Sequence, residues 1–383
     1  MKILFLSHTA MNGPFVVGSH HLAMEMAKSG HLVVHASAPV TPFHFLMKRS
    51  PFERGKFKCC LKGGVPRSGV HELVPFALLP WGLVRRASWI RRWLYSPSAY
   101  IRRAMRRIGV DSFDLIVMDE PRMLDAANEI RASKKIYRPT DLYAEMRGDL
   151  SIERLEAEIS CSQEYSIVAM SRPIQRNMLR LGAAQVSMME NGVDFQYFSQ
   201  PGSKEDLPDL PAGPRAVYVG ALDQRFSVES ILSAANENPG VSFLIFGPEP
   251  ELVSSRFGGV DNVYLMGPIS YRKLPALLSN CDVALLPLSD HPANEGRSPM
   301  KIYEYGAAGL PVLATRTSEL AQRGLPFVFL CDAPNDFGRT LRVIIDQKYS
   351  GEFSAEIARA AASEHSWSAK ATVLTGNLNS EAR

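Results

Sequence analysis

Between Ser298 and Thr315 the chain reads SPMKIYEYGAAGLPVLAT, and its lysine stands where a helix disfavours one. Ser298 can cap a helix, Pro299 suits the first position and Gly309 can end it, which puts Lys301 in the first turn. A helix N-terminus carries about half a positive charge, so a cation there costs about 0.3–1 kcal/mol unless an anion meets both. A bound diphosphate would remove the conflict. Glu304 and Tyr305 follow on nearly the same face, and a carboxylate there can reach past phosphates to a ribose diol. Phosphate plus sugar points to a nucleotide. An exposed lysine whose stem covers apolar surface is the plainer alternative.

Such residues need strands to present them. The chain alternates apolar runs with helix-forming stretches, the pattern of two doubly wound parallel sheets in the α/β class. Lys2–Ser7, His31–Ser37, Leu115–Met118, Lys135–Arg138, Ile167–Met170 and Val186–Met189 read as buried strands of a first domain. Arg215–Val219, Ser242–Phe246, Val263–Met266, Val283–Leu286, Pro311–Ala314 and Phe327–Leu330 repeat the plan. Asn191 to Pro214, rich in Pro, Gly and Asp, is the expected linker.

Ligands of open parallel sheets bind beyond the carboxyl ends of the strands. In the second half those ends carry Gly220, Ala221 and Leu222, then Gly247, Met266 with Gly267 to Ser270, and Leu286 with Pro287. Three glycines at strand ends let backbone approach a nucleotide closely, so the nucleotide is expected in this half. In the first half the ends carry Ser7 and His8, Asp119 and Glu120, Asp141, Ser171, and Glu190 with Asn191. The helix after the first strand opens Ser19-His20-His21. No G-x-G-x-x-G follows that strand, which argues against a dinucleotide and leaves His8, Ser19, His20, His21 and Glu120 for a second substrate. Adjacent histidines point about 100° apart on a helix and chelate poorly, so the pair reads as core or acceptor groove rather than as a metal site.

The 383 residues, 46% of them hydrophobic, suit two domains of about 180 residues each. No apolar run approaches the length of a membrane span. MKILFLS reads as a first strand and is too short in its apolar part for a signal peptide. Five cysteines without metal-ligand spacing argue for a reducing compartment, and the expected location is cytoplasmic.

A net charge of +4 hides an asymmetry: residues 1–110 hold 17 Lys+Arg against 3 Asp+Glu, and the remainder 26 against 36. Leu73 to Val110 has no acidic residue and holds Trp81, Trp89 and Trp93. Arg102, Arg103, Arg106 and Arg107 form one basic helical face opposite Ile101, Met105 and Ile108. Pro42 to Lys58 repeats the aromatic-plus-basic mixture. The first reading is a membrane-surface element, because basic residues near an anionic leaflet and interfacial tryptophans both favour it. A solvated arginine face and a nucleic-acid patch are the other two, and no helix-turn-helix, RNP or zinc pattern supports the last.

The segment Pro299, Lys301, Glu304, Tyr305, Gly309, Pro311 and Val312 resembles the donor-binding helix of GT-B glycosyltransferases. A second glutamate often precedes the ribose-binding one by eight residues in that family; here the position is Gly296, with Glu295 one residue out of register. The first half resembles a narrower group, the xanthan-type membrane-associated glucuronosyltransferases. That resemblance lies in FLSH, in Val17 to Val34, in ASAPVTPFHFL and in IYRPTDLYAEM at Ile136 to Met146. Met300 and Lys301 match the pair that meets the donor diphosphate in that group, whereas Glu304 stands where a glutamine is expected. The resemblance implies two Rossmann-like domains facing a central cleft. It divides the chain into an acceptor and membrane domain, 1–198 with a C-terminal crossover helix 365–383, and a donor domain, 199–364. Ser366-Trp367 resembles the segment that starts such a crossover.

It also implies a glycosyltransferase that moves glucuronic acid from UDP-glucuronate to a lipid-linked oligosaccharide in bacterial exopolysaccharide synthesis, peripheral on the inner face of the membrane. An inverting reaction needs one carboxylate to deprotonate the acceptor, and Asp141, extended after Pro139, is the candidate, with helix capping as its alternative role. Ser298, Met300, Lys301 and Glu304 would hold the donor together with the strand-end residues. No Asp-x-Asp stands in a donor loop, so no metal and no cofactor beyond the UDP-sugar are expected. Another UDP-sugar with retaining chemistry, a UDP-sugar epimerase and a non-catalytic membrane adaptor are the alternatives.

Overall fold

The computed structural model describes residues 1–13, 16–47, 51–203, 207–248, 253 and 255–376. Residues 48–50 of the first aromatic-and-basic stretch, 204–206 of the linker and 377–383 of the expected crossover helix lie outside them. The chain forms two compact units: Met1–Glu190 with the chain from Lys370 onward, and Asn191–Ala369. The break falls at 190/191, ahead of the expected 198/199.

The first unit holds an eight-stranded sheet. Its strands are β1 Lys2–Ser7, β2 Leu32–Ser37, β3 Val65–Arg67, β4 Val70–Leu73, β5 Phe113–Met118, β6 Ala132–Tyr137, β7 Tyr165–Ala169 and β8 Val186–Met188. They run in the order β3-β4-β2-β1-β5-β6-β7-β8, parallel except for the β3/β4 pair. That hairpin was not expected from sequence. It turns through Ser68 at φ 49 and Gly69 at φ 79, the positive values that a tight hairpin turn requires. β4 then pairs parallel with β2, extending the sheet.

The second unit holds six parallel strands in the order β11-β10-β9-β12-β13-β14. These are β9 Arg215–Val219, β10 Ser242–Phe246, β11 Val263–Gly267, β12 Val283–Leu286, β13 Val312–Thr315 and β14 Val328–Cys331. Alternation along the strands splits the apolar side chains between two layers. Ala216, Tyr218, Phe243, Ile245, Val283 and Leu285 pack on one face, and Val217, Leu244, Phe246, Ala284, Leu286 and Val312 on the other. The strand order reverses at β9, which lies between β10 and β12, and at β1, which lies between β2 and β5. Crevices form at such reversals, beyond the carboxyl ends of the strands.

Candidate functional site

In the second unit the switch point is edged by three glycines joined through backbone. Gly220 N–H donates to the Phe246 carbonyl at 2.8 Å, and Gly247 N–H donates to the Gly267 carbonyl at 2.9 Å. A Cβ on Gly220 would lie 2.6 Å from Tyr218 Oη and 2.8 Å from Lys301 Cε, and one on Gly247 would strike the Gly220 carbonyl. The glycines therefore serve first to let strand ends and the lysine stem pack on one another.

The lysine comes from the helix Met300–Ala307, which ends at Gly309 with φ +78. Its N-cap is Pro299, without a side-chain cap, so Ser298 does not cap it as expected. Ser298 instead fastens Asn191: its Oγ accepts from Asn191 N–H at 3.1 Å and its carbonyl accepts from Asn191 Nδ2 at 2.5 Å. Tyr305 also departs from expectation. It is buried, and its Oη accepts from Val219 N–H at 3.1 Å, so it ties the helix to β9 rather than lying beside Lys301. Leu222 and Leu286 are core side chains that can offer only backbone to a ligand, while Met266 packs partly exposed against the Leu286 layer.

The side chains of Lys301 and Glu304 make no hydrogen bond or ion pair among the described residues. Burial, then the like charges of Arg297 and Arg225, lower the Lys301 ammonium from 10.5 to about 8, with Glu304 opposing. Burial raises Glu304 from 4.5 to about 7, with Lys301 opposing. Asp223 binds the Arg225 guanidinium at 2.5 Å. The result is a cluster of three cations, one of them paired with the Asp223 carboxylate, and a second carboxylate pushed toward its neutral form, around a glycine edge suited to an anion with polar groups beyond it. Arg225 and Arg297 were missed from sequence. Arg297 had a signal, four residues before Lys301; Arg225, at the end of a loop, had none.

In the first unit Asp141 follows β6 and lies two residues before the helix Tyr143–Arg147, whose N-cap is Leu142. Leu142, not Asp141, thus occupies the N-cap position of that helix. Thr140 Oγ1 donates to its Oδ2 at 3.4 Å and shares a 2.7 Å hydrogen bond with Tyr143 Oη. Glu145 is exposed, and Asp149 caps the next helix, accepting from Ser151 N–H at 3.0 Å and Trp81 Nε1 at 2.9 Å. The residues expected to meet an acceptor are mostly enclosed. Ser19, His20, His21 and Glu120 are buried. Burial drives His8 to about 4 and His21 to about 3, so both rings are neutral near pH 7. His20 is held between the Thr9 carbonyl at 3.1 Å and Val17 N–H at 3.4 Å. Burial raises Glu120, but bonds from Arg122 at 2.6 Å and Arg147 at 3.1 Å prevail and bring it to about 2.

Of the tryptophans expected at a membrane, Trp89 and Trp93 are 70% and 80% exposed. Trp81 is a correction: it is buried, edge-on to Tyr95 at 5.3 Å, with its indole N–H on Asp149. Arg103, Arg106 and Arg107 are exposed, and Arg102 reaches Glu129 at 3.4 Å. No helix among the described residues is long and apolar enough to cross a membrane.

Two parallel-sheet units of this order, each with a strand-order reversal, define the GT-B glycosyltransferase fold. Comparison with solved structures agrees. Sucrose-phosphate synthase from Thermosynechococcus elongatus superposes with a TM-score of 0.71 at 16% identity, covering 100% of this chain and 99% of that one. HepE from Anabaena, in complex with UDP, gives 0.67 at 16% identity over 99% and 100% of the two chains. Residues 213–347, which lie within the second unit, match the family of glycosyl transferases group 1. TuaH of Bacillus subtilis, described as a teichuronic acid biosynthesis glycosyltransferase, is 25% identical over 228 residues. That match takes in 57% of this chain and 56% of TuaH, about half the length of each.

Proposed function

We propose that this chain is a glycosyltransferase that transfers a sugar, glucuronic acid in the first instance, from its UDP conjugate to a lipid-linked glycan in exopolysaccharide synthesis. The observation that carries the proposal is the unpaired Lys301 ammonium, massed with Arg297 and Arg225 at the glycine edge of a group 1 transferase domain. The UDP bound to HepE and the polysaccharide named for TuaH support the donor class and the product class.

In this reading the three cations take up the charge of the departing UDP without a metal, as preorganised charge does for other leaving groups. Glu304 meets the ribose. Asp141 takes the proton from the acceptor hydroxyl. The exposed tryptophans and arginines of the first unit hold the protein on the anionic inner face of the cell membrane, where a lipid-linked acceptor is presented. A second reading, transfer from UDP-glucose, rests on the glutamate at 304 in place of the glutamine expected for the glucuronosyl group.

Calorimetric titration with UDP, GDP, UDP-glucose and UDP-glucuronate, without metal, tests the donor site. Uridine-selective binding that weakens roughly 10- to 100-fold in Lys301→Ala is expected, the worth of one hydrogen bond to a charged group. Binding of no nucleotide would overturn the proposal. Asp141→Asn is expected to bind UDP as the parent does and to lose transfer; loss of both together would make Asp141 structural.

A further inference from the structure

We propose that the helix Ser98–Arg107 carries a discrete site for the dianionic phosphate headgroup of a membrane lipid, an inference that rests on the membrane reading above and sharpens it. Ala99, Arg102, Arg103 and Arg106 line an open groove of about 420 Å³. Their spacing places them along one side of the helix, while Ile101, Ala104 and Met105 bury the other.

The charge in this groove is largely unspent. Arg102 reaches Glu129 at 3.4 Å, whereas the Arg103 and Arg106 side chains have no ion pair or hydrogen bond among the described residues. Guanidinium forks pair bidentately with phosphate oxygens and are weakly hydrated, so exposed arginines converging on one groove select phosphate over a simple negative field.

A second feature says which phosphate. Glu129 accepts from Ser98 Oγ at 2.5 Å and lies 4.0 Å from Arg92, so one carboxylate holds both the helix Ser88–Leu94 and the arginine helix. Trp93 follows Arg92 directly and Trp89 lies one turn earlier, and both indoles are exposed. An aromatic pair that favours the interface thus sits on the helix that precedes the one bearing the cationic groove. A lipid satisfies both at once, its headgroup among the arginines and its upper acyl carbons against the indoles. A soluble phosphate would leave the indoles without a partner.

Sedimentation of the full chain with phosphatidylcholine vesicles doped to equal surface charge with phosphatidylserine, phosphatidylglycerol or phosphatidic acid tests the site. Roughly tenfold tighter binding to phosphatidic acid is expected, because a monoester supplies more charge and more acceptor oxygens per headgroup. Arg103→Gln with Arg106→Gln should erase that preference while leaving thermal unfolding unchanged. Trp89→Ala with Trp93→Ala should weaken binding to all three vesicles alike. Equal binding to the three overturns the groove and leaves a diffuse membrane surface. A preference that survives the arginine variant overturns its placement, and tight binding of inorganic phosphate without vesicle preference overturns the lipid as its source. No binding to any anionic vesicle overturns the membrane reading itself, whereas UDP titration reads the transferase proposal separately.

Discussion

Lys301 is held at a cost to the fold. Burial keeps its pKa at about 8 where an ordinary lysine has 10.5, so between those values the folded chain binds fewer protons than the unfolded one. Its penalty is fully present below pH 8 and fades as pH rises through that window. Glu304 works the other way: raised from 4.5 to about 7, its contribution favours the fold below 4.5 and is lost as pH rises through 7. Lys301→Met is therefore expected to unfold at a higher temperature than the parent at neutral pH. The gain should be on the order of 1–3 kcal/mol and shrink above pH 8, with UDP affinity weakened as in Lys301→Ala. Scanning calorimetry at two pH values checks the first part. For the parent, UDP affinity should fall by up to about tenfold per pH unit above pH 8, as the ammonium that the anion needs is lost. A flat profile would remove Lys301 from the site.

At the scale of elements, the basic segment is fixed by ion pairs that its own sequence does not display. Arg91 donates to Asp125 at 2.6 and 3.1 Å, both side chains being buried. Arg91→Ala should cost about 3–5 kcal/mol by stranding the carboxylate, and Arg91→Ala with Asp125→Ala should recover much of it, by chemical denaturation. Additive losses would mean the pair is not coupled. Twelve of the fourteen strands begin or end within two residues of runs legible in the sequence, since buried parallel strands are continuous apolar runs bounded by Gly, Pro and polar residues. β3 and β4 were not legible because they are short and carry Pro66, Arg67, His71 and Glu72. Nor could sequence separate Trp81 from Trp89 and Trp93, because burial of Trp81 depends on Asp149, 68 residues further along. The same holds for the site: Lys301 declared itself through its helix, whereas Arg225 joins it only once β9 has brought its loop beside that helix.

The whole molecule is two units with separate cores, and the residues proposed to hold the donor lie in one of them. UDP at about 100 times its Kd should therefore raise the stability of the second unit by about 2.7 kcal/mol and leave the first nearly unchanged. Calorimetry should resolve two transitions of which one shifts; a common shift of both would mean that the units unfold together. The second unit also begins and ends at one place, with Val193 N–H on the His365 carbonyl and Trp367 N–H on the Val193 carbonyl, each at 3.0 Å. The chain leaves the first unit at Glu190 and returns to it at Lys370, where Ala371 and Leu374 are buried. On the ribosome, all eight strands of the first unit have been translated before the first strand of the second, yet its closing helix emerges only after the whole second unit. The earliest part of this protein to start folding is thus also the last to be finished.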